Sequence, residues 1–245
     1  MEVILLDIVP RELNEHEKKK GLSLENKTVR NRIVNEALKN ALKSKPSPIY
    51  HQEFAKRIQT GNLEDDIELV NQVDWIIEVV VERLDIKKQV FDNIEKHRKP
   101  GALITSNTSG IPIKFMNDGR SEDFQQHFCG THFFNPPRYL RLFEIIPGPN
   151  TKPEVIAFLN EYGKKFLGKK SVIAKDTPAF IGNRIGIFSI MSLFHIVKEM
   201  DMTIEEVDKL TGPVIGRQKS ATFRTVYVVV LDTLVHVANG LYENV

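Results

Sequence analysis

The chain has 245 residues, of which 41% are hydrophobic and 27% charged, so it is long enough for one large domain or two smaller domains of ordinary globular composition. Its formal net charge of +2 argues against binding to nucleic acid or a membrane through overall charge, and any anion site must be local. The single cysteine, Cys129, excludes an intramolecular disulfide and a multi-cysteine metal cluster. A lone cysteine fits a reducing compartment and the N-terminus lacks signal-peptide features, so we expect a cytoplasmic protein.

The N-terminal stretch combines a strand pattern with a basic helix pattern. The opening run MEVILLDIVP predicts a strand that ends at the acidic residue Asp7. Apolar residues at helical spacing over residues 26–45 predict a helix that ends before Pro46. The polar side of this helix carries Arg30, Arg32, Lys39 and Lys43. These residues alone favour a solvated helix face, with an anion-binding face as the alternative.

From Asp74 onward, strand and helix patterns alternate. The apolar run 75–81 predicts a parallel strand covered on both faces, residues 84–97 an amphipathic helix and residues 102–104 another buried strand. This order predicts a doubly wound, mostly parallel α/β sheet whose functional loops lie at the carboxyl ends of the strands. Glu82 and Ser109 both fall at such ends.

A hairpin pattern brings a histidine and a carboxylate together. Residues 128–134 and 140–146 predict two strands, and a hairpin centred on Arg138 would place His132 opposite Glu144 on one face. A carboxylate beside an imidazole fixes its tautomer and stabilises the cation formed when the ring takes a proton. The pair is therefore a candidate for proton transfer, although most His–Glu pairs are structural.

The C-terminal part is predicted to be helical. Residues 153–166 predict a helix and residues 170–174 a short strand, after which the region of Pro178 is the expected hinge. We divide the chain into an α/β domain, residues 1–178, and a helical domain, residues 179–245. The helix pattern over residues 179–200 predicts a buried helix with His195 as a core histidine, and Thr203 with Glu206 predicts a capping box. No histidine has a spacing that indicates a metal site.

Several motifs, in order along nearly the whole chain, resemble the 3-hydroxyacyl-CoA dehydrogenase family. They are Asp7 after its strand, IEVVVERLDIKKQVF (77–91), SNTSG (106–110), GTHFFNPPRYLRLFEIIPG (130–148) and LGKKSVIAKDTPAFIGNRI (167–185). The HFFNP segment with its glutamate is specific to that family. The phrases PPRYLRLFEIIPG and IGRQKSATFRT look most like long bacterial fatty-acid oxidation proteins that carry an enoyl-CoA hydratase region after the dehydrogenase.

The resemblance implies a Rossmann-like fold and oxidation of (S)-3-hydroxyacyl-CoA to 3-oxoacyl-CoA in fatty-acid β-oxidation, with hydride passing to NAD. By carry-over at matching positions, His132 would take the hydroxyl proton, and Glu144 would orient His132 and stabilise its cation. Ser109 and Asn183 would hold the reacting oxygen of the substrate. The implied partners are an acyl-CoA, whose phosphates would meet the basic helix at 26–45, and a second copy of the chain bound through the helical domain.

The resemblance also implies five NAD contacts. Asp7 would bind the adenosine ribose, and the nicotinamide ribose and amide would meet Glu82, Lys87, Ser109 and Asn135. The positions of Asp7, Glu82 and Ser109 at strand ends agree with this independently. For Lys87 and Asn135 the residues alone favour a surface lysine and a turn-forming asparagine.

The sequence departs from the family pattern at both ends. The first strand, glycine-rich turn and first helix of the family, which hold the cofactor pyrophosphate, are absent. We therefore expect two strands to flank a vacancy and the chain to be less stable and prone to aggregation. A truncated, non-catalytic remnant with impaired NAD binding is therefore the alternative function. In the tail, Tyr227 and Val230 replace an acidic residue and a glycine, and residues 226–231 favour a strand where the family has a helix.

A nucleic-acid-binding protein has little support, because no aromatic stacking platform accompanies the lysines.

Overall fold

The N-terminal part of the computed structural model contains a small parallel sheet of its own. The structure describes residues 1–229 together with 231, 234, 235, 238, 239 and 242. Strand β1 (Val3–Asp7) pairs with β2 (Ile58–Asn62), so that Asp7 lies opposite Asn62. Strand β2 was not predicted from the sequence.

A second sheet of five strands carries most of the fold. Its strands, in spatial order, are β3 (Trp75–Glu78), β4 (Leu103–Ser106), β5 (Phe128–Phe133), β6 (Leu142–Pro147) and β7 (Lys170–Ile173). All neighbours are parallel except β5 and β6, which confirms the predicted mostly parallel α/β sheet. The β5–β6 register places His132 opposite Glu144, as the hairpin pattern predicted.

Ten α-helices surround the sheets in the described ranges. Their bounds are α1 Glu15–Lys19, α2 Lys27–Arg30, α3 Arg32–Lys43, α4 Leu84–His97, α5 Ile113–Asn117, α6 Glu122–Gln126, α7 Pro153–Lys165, α8 Gly182–Met200, α9 Ile204–Leu210 and α10 Phe223–Val229. Short 3-10 turns cover Gln52–Arg57, Ile67–Gln72 and Pro213–Ile215. The helix predicted over residues 26–45 is thus two helices, which meet at Asn31.

The core packs on both faces of the five-stranded sheet. On one face the rings of Phe91, Phe124 and Phe128 lie 5.1 to 5.7 Å apart, a distance typical of stabilising aromatic pairs. On the other face Phe143 packs in a cluster with Leu159 of α7. Burial of these side chains fixes β4, β5 and β6, and with them the residues at the strand ends.

The predicted strand over residues 75–81 is too long at its carboxyl end. β3 ends at Glu78, and Val79 and Val81 are exposed by 66% and 62%. The chain turns there because the Glu78 carboxylate accepts a hydrogen bond from the Val80 N–H at 2.6 Å. Within the described residues, β1 pairs only with β2 and β3 only with β4, so each leaves one edge without a strand.

Helix α8 contradicts the predicted buried helix. None of its 19 residues is buried, and His195 is exposed and so is not a core histidine. The largely apolar sequence of this helix suggested burial, but burial depends on neighbours, which the described part of the fold does not supply. Within that same part of the chain, no helix is long and apolar enough to cross a membrane.

The last helices correct one prediction and confirm another. Residues 226–229 belong to α10, not to a strand, because the Asp208 carboxylate accepts hydrogen bonds from the N–H groups of Thr222, Phe223 and Arg224 and starts the helix. The Thr203–Glu206 capping box of α9 is present as predicted. Val230 lies outside the described residues, and the domain boundary after residue 178 stays a prediction.

Candidate active site

A buried histidine–glutamate pair lies at the end of the β5–β6 hairpin. His132 Nδ1 and Glu144 Oε2 are 2.7 Å apart, and the two residues are 4% and 0% exposed. A carboxylate only accepts hydrogen bonds, so we assign the proton to Nδ1, which leaves Nε2 free to accept another. The rings of Phe134 and Phe180 pack against the imidazole at 4.5 and 5.7 Å and fix its orientation.

The second oxygen of Glu144 binds the start of helix α8. Glu144 Oε1 accepts hydrogen bonds from the N–H groups of Ile181 at 3.0 Å and Gly182 at 2.7 Å. Burial alone would raise the pKa of the Glu144 carboxyl, but the hydrogen bonds from His132 and these N–H groups outweigh it, so the pKa lies below its ordinary value. Glu144 is therefore an ionised partner for an imidazolium at neutral pH.

Asn183 lies in the first turn of α8, the helix whose start binds Glu144. It follows Gly182 directly in the first turn of α8 and is partly exposed. Its side chain makes no hydrogen bond within the described residues. Asn183 is thus the next residue after Gly182, whose N–H binds Glu144.

The turn that contains Ser109 is held by Glu82. Glu82 Oε1 accepts hydrogen bonds from Thr108 Oγ1 at 2.6 Å and from the N–H groups of Ser109 and Gly110, both at 2.9 Å. Partial burial would raise the pKa of the Glu82 carboxyl, but these bonds and the nearby Lys87 ammonium lower it overall. Two residues predicted separately are therefore in direct contact.

Asn107 links two strands and was not predicted as a site residue from the sequence. Its Oδ1 accepts a hydrogen bond from the Phe133 N–H at 3.0 Å, and its own N–H donates to the Glu78 carbonyl at 2.8 Å. Asn107 thus joins β3 to the end of β5, next to His132. The available signal was its position inside the polar SNTSG turn.

Lys87 and Glu78 form a buried ion pair. Lys87 Nζ lies 2.9 Å from Glu78 Oε1 and 3.0 Å from Oε2, and the two residues are 1% and 3% exposed. The interpretation of Lys87 as a surface lysine is wrong. Glu78 was missed, although a carboxylate inside an apolar run requires a charged or hydrogen-bonding partner.

Asp7 and Asn135 lie at strand ends but outside this network. Asp7 ends β1, and its Oδ1 accepts a hydrogen bond from the Ile8 N–H at 2.7 Å. Asn135 is exposed in the turn after β5. Since β1 belongs to the other sheet, no described hydrogen bond joins Asp7 to the dyad.

The polar atoms at these strand ends fit part of a dinucleotide. The Asp7 carboxylate, the Ser109 hydroxyl and the Asn135 amide are the group types that bind ribose hydroxyls and a carboxamide. The sequence contains no Gly-x-Gly pair for the close backbone approach that a diphosphate needs. The chain therefore offers partners for the ribose and nicotinamide ends.

The basic helix is largely neutralised by carboxylates. Arg30 pairs with Glu64 and Asp65, and Arg32 pairs with Glu17. The remaining cations on α3 include the exposed Lys39 and Lys43, which form no ion pair with another described residue.

A mostly parallel sheet with polar side chains at the carboxyl ends of its strands is the architecture of dinucleotide-binding α/β proteins. The sequence matches the family "3-hydroxyacyl-CoA dehydrogenase, NAD binding domain" over residues 1–177. The chain therefore belongs to this family, whose cofactor is NAD.

Individual relatives agree with this assignment. The chain is 50% identical over 241 residues to "Probable 3-hydroxyacyl-CoA dehydrogenase" of Bacillus subtilis (strain 168), covering 98% of this chain and 30% of that protein. It is 42% identical over 239 residues to a protein of the same name from Deinococcus radiodurans, covering 98% of this chain and 65% of that one. The chain thus spans under a third of the length of the Bacillus subtilis protein and about two thirds of the length of the Deinococcus radiodurans protein.

A solved structure agrees at the level of the fold. The (S)-3-hydroxybutyryl-CoA dehydrogenase of Ralstonia eutropha superposes with a TM-score of 0.75 and 24% identity, over 100% of this chain and 79% of that one.

Proposed function

We propose that this chain oxidises (S)-3-hydroxyacyl-CoA to 3-oxoacyl-CoA in an NAD-dependent step of fatty-acid β-oxidation in the cytoplasm. The observation that carries the proposal is the buried His132–Glu144 pair in an NAD-binding domain; the imidazole Nε2 has no hydrogen-bond partner among the described residues. The names of the relatives support the substrate class. The buried free thiol of Cys129 supports a reducing compartment.

In this proposal His132 is the general base. Its Nε2 accepts the proton of the substrate hydroxyl, and the Glu144 carboxylate stabilises the resulting imidazolium. Ser109 and Asn183 donate hydrogen bonds to the reacting oxygen and hold it in place as it becomes a carbonyl. NAD, when bound, would supply the acceptor for the hydride of the neighbouring carbon.

The proposed cofactor contacts lie at the strand ends. Asp7 binds the adenosine ribose, and Ser109 and Asn135 bind the nicotinamide ribose and amide. Glu82 completes this set, and Lys87 is included with it as its ion-pair partner. The exposed lysines of α3 are proposed to meet the phosphates of the acyl-CoA.

We test this function with His132→Gln, which keeps a polar side chain but removes the base. General bases contribute roughly 10²- to 10⁴-fold, so kcat should fall by about that factor while acyl-CoA binding stays largely intact. His97→Gln is the matched control, because His97 lies at the end of α4 and its Nδ1, among the described residues, is hydrogen-bonded only to the Asn93 carbonyl. Full activity in His132→Gln would contradict the mechanism.

We also propose that two copies of the chain associate through α8, the assembly that the resemblance implies. The supporting observation is the row of exposed apolar side chains on this helix, Ile185, Phe188, Met191, Ile196 and Met200. Phe188→Lys should halve the molar mass measured by light scattering. Phe166→Lys alters an equally exposed phenylalanine at the end of α7 and should leave the mass unchanged.

A further inference from the structure

Glu78 and Lys87 form a buried ion pair that has no direct part in the proposed proton transfer. Both Glu78 oxygens are fully engaged, because the carboxylate also accepts hydrogen bonds from the Val80 N–H at 2.6 Å and from Ser106 Oγ at 2.5 Å. Two charges taken out of water cost more than their attraction returns unless the geometry and the remaining hydrogen bonds are favourable. Such a pair is weak evidence for stability alone, which raises the question of what it holds in place.

The Lys87 ammonium reaches from Glu78 toward the loop that follows β3. Its Nζ also lies 3.3 Å from the Val80 carbonyl and 3.4 Å from Glu82 Oε2. Lys87 stands in the first turn of α4, so the ammonium joins the end of β3, the loop 79–83 and the helix start. That loop has little packing of its own, since Val79 and Val81 are exposed.

Glu82 connects the loop 79–83 to the turn that contains Ser109. While Oε2 faces Lys87, Oε1 accepts the hydrogen bonds from Thr108 Oγ1 and from the N–H groups of Ser109 and Gly110. Hydrogen bonds to an ionised carboxylate are about twice as strong as neutral ones. A continuous chain of contacts therefore runs from Glu78 through Lys87 and Glu82 to Ser109.

We propose that Glu78 and Lys87 are positioning residues that act through Glu82 to hold Ser109 in place. The Lys87 ammonium is enclosed by Glu78, Val80 and Glu82, so it acts on Ser109 through Glu82. The inference deepens the proposed function, since Ser109 holds the reacting oxygen there. It is tested without cofactor or substrate, so its failure and the failure of the proposed function are distinguishable.

The experiment measures hydrogen exchange of individual backbone amides by NMR in the full chain. In Glu82→Gln the Ser109 and Gly110 amides should exchange about tenfold faster or more, the size expected when a hydrogen bond to a charged group is weakened. Glu82 is partly exposed, so this variant leaves no buried charge unpaired. Glu95→Gln is the control, because Glu95 is another carboxylate that accepts a hydrogen bond from a loop amide, the Ser121 N–H at 2.9 Å, and it lies on α4, the helix of Lys87. Its effect should be confined to residues around Ser121.

A double variant separates positioning from simple stabilisation. Glu78→Gln with Lys87→Met buries no charge and preserves side-chain volume, so the fold should persist. The Ser109 and Gly110 amides should still exchange several-fold faster, because Glu82 no longer faces the Lys87 ammonium. The pKa of Glu82, followed through the Ser109 amide shift, should rise in the same variant. Unchanged exchange at Ser109 and Gly110 in Glu82→Gln or in a folded double variant, or equal acceleration at all amides, overturns the proposal.

Discussion

The carboxylate of Glu144 accepts a 2.7 Å hydrogen bond from the backbone N–H of Gly182, the first residue of α8. The other oxygen of the same carboxylate binds His132. One buried side chain thus fixes both the imidazole and the entry into the helical part. The positions of His132 and Asn183 depend on each other for this reason.

Gly182→Ala tests how closely the helix start must approach the dyad. An added Cβ would lie 2.6 Å from Phe134 Cζ and 3.1 Å from Leu142 Cδ2, so the ring that packs on His132 must shift. We expect a loss of about 1–3 kcal/mol in the free energy of unfolding, measured with urea. Gly186→Ala, one turn further along α8, meets nothing within 4 Å and should stabilise the helix by roughly 0.5–1 kcal/mol. Equal effects of the two substitutions would contradict the account.

The lowered pKa of Glu144 predicts a specific pH dependence of stability. A carboxyl whose pKa is lower in the folded chain stabilises the fold above its unfolded pKa, about 4.3, and loses that contribution as the pH falls through the folded pKa. Glu144→Gln should therefore be less stable than the wild type at pH 7, and the difference should shrink below about pH 4. Urea unfolding of both proteins across this range measures it. A difference independent of pH would show that the Glu144 charge does not stabilise the fold.

Asn107→Leu removes the acceptor for the Phe133 N–H while keeping a similar volume. The Phe133 N–H is partly buried, so leaving it without a partner should cost about 1 kcal/mol, the low end of the range for a buried N–H, and the end of β5 beside His132 should loosen. Asn107→Asp keeps Oδ1 and should lose less. Unfolding free energies of the three proteins, with amide exchange at Phe133, give the comparison, and equal protection of Phe133 in all three would refute this role.

The thiol of Cys129 should be inert in the folded chain. Burial raises its pKa to about 12, so almost no thiolate forms at neutral pH. A thiol reagent should label Cys129 only in denaturant. Rapid labelling of the folded protein would show that the β4–β5–β6 core opens readily.

Local patterns in the sequence predicted the parts of the fold that depend on neighbouring residues. Helix α4 matches its predicted bounds, and the capping box at Thr203 is present, because both rest on residues within a few positions. The hairpin register that pairs His132 with Glu144 follows from turn geometry and a two-residue side-chain period.

Features set by distant contacts were not predictable in this way. Glu78 lies inside an apolar run, and only the structure shows its partners on α4 and β4. The contact of Glu144 with the start of α8 spans more than 35 positions in the sequence, and no pattern indicates it. The exposure of α8 depends on which elements pack against it, so its apolar composition led to the wrong prediction.

The most direct test of the central claim is the formation of NADH by the purified chain, followed by absorbance, with (S)- and (R)-3-hydroxybutyryl-CoA as substrates. If His132 takes the hydroxyl proton in a site shaped by Ser109 and Asn183, NADH forms with the (S) substrate alone, and its formation is lost in His132→Gln. NADH formation that is equal for both enantiomers, or absent for both, would contradict the account.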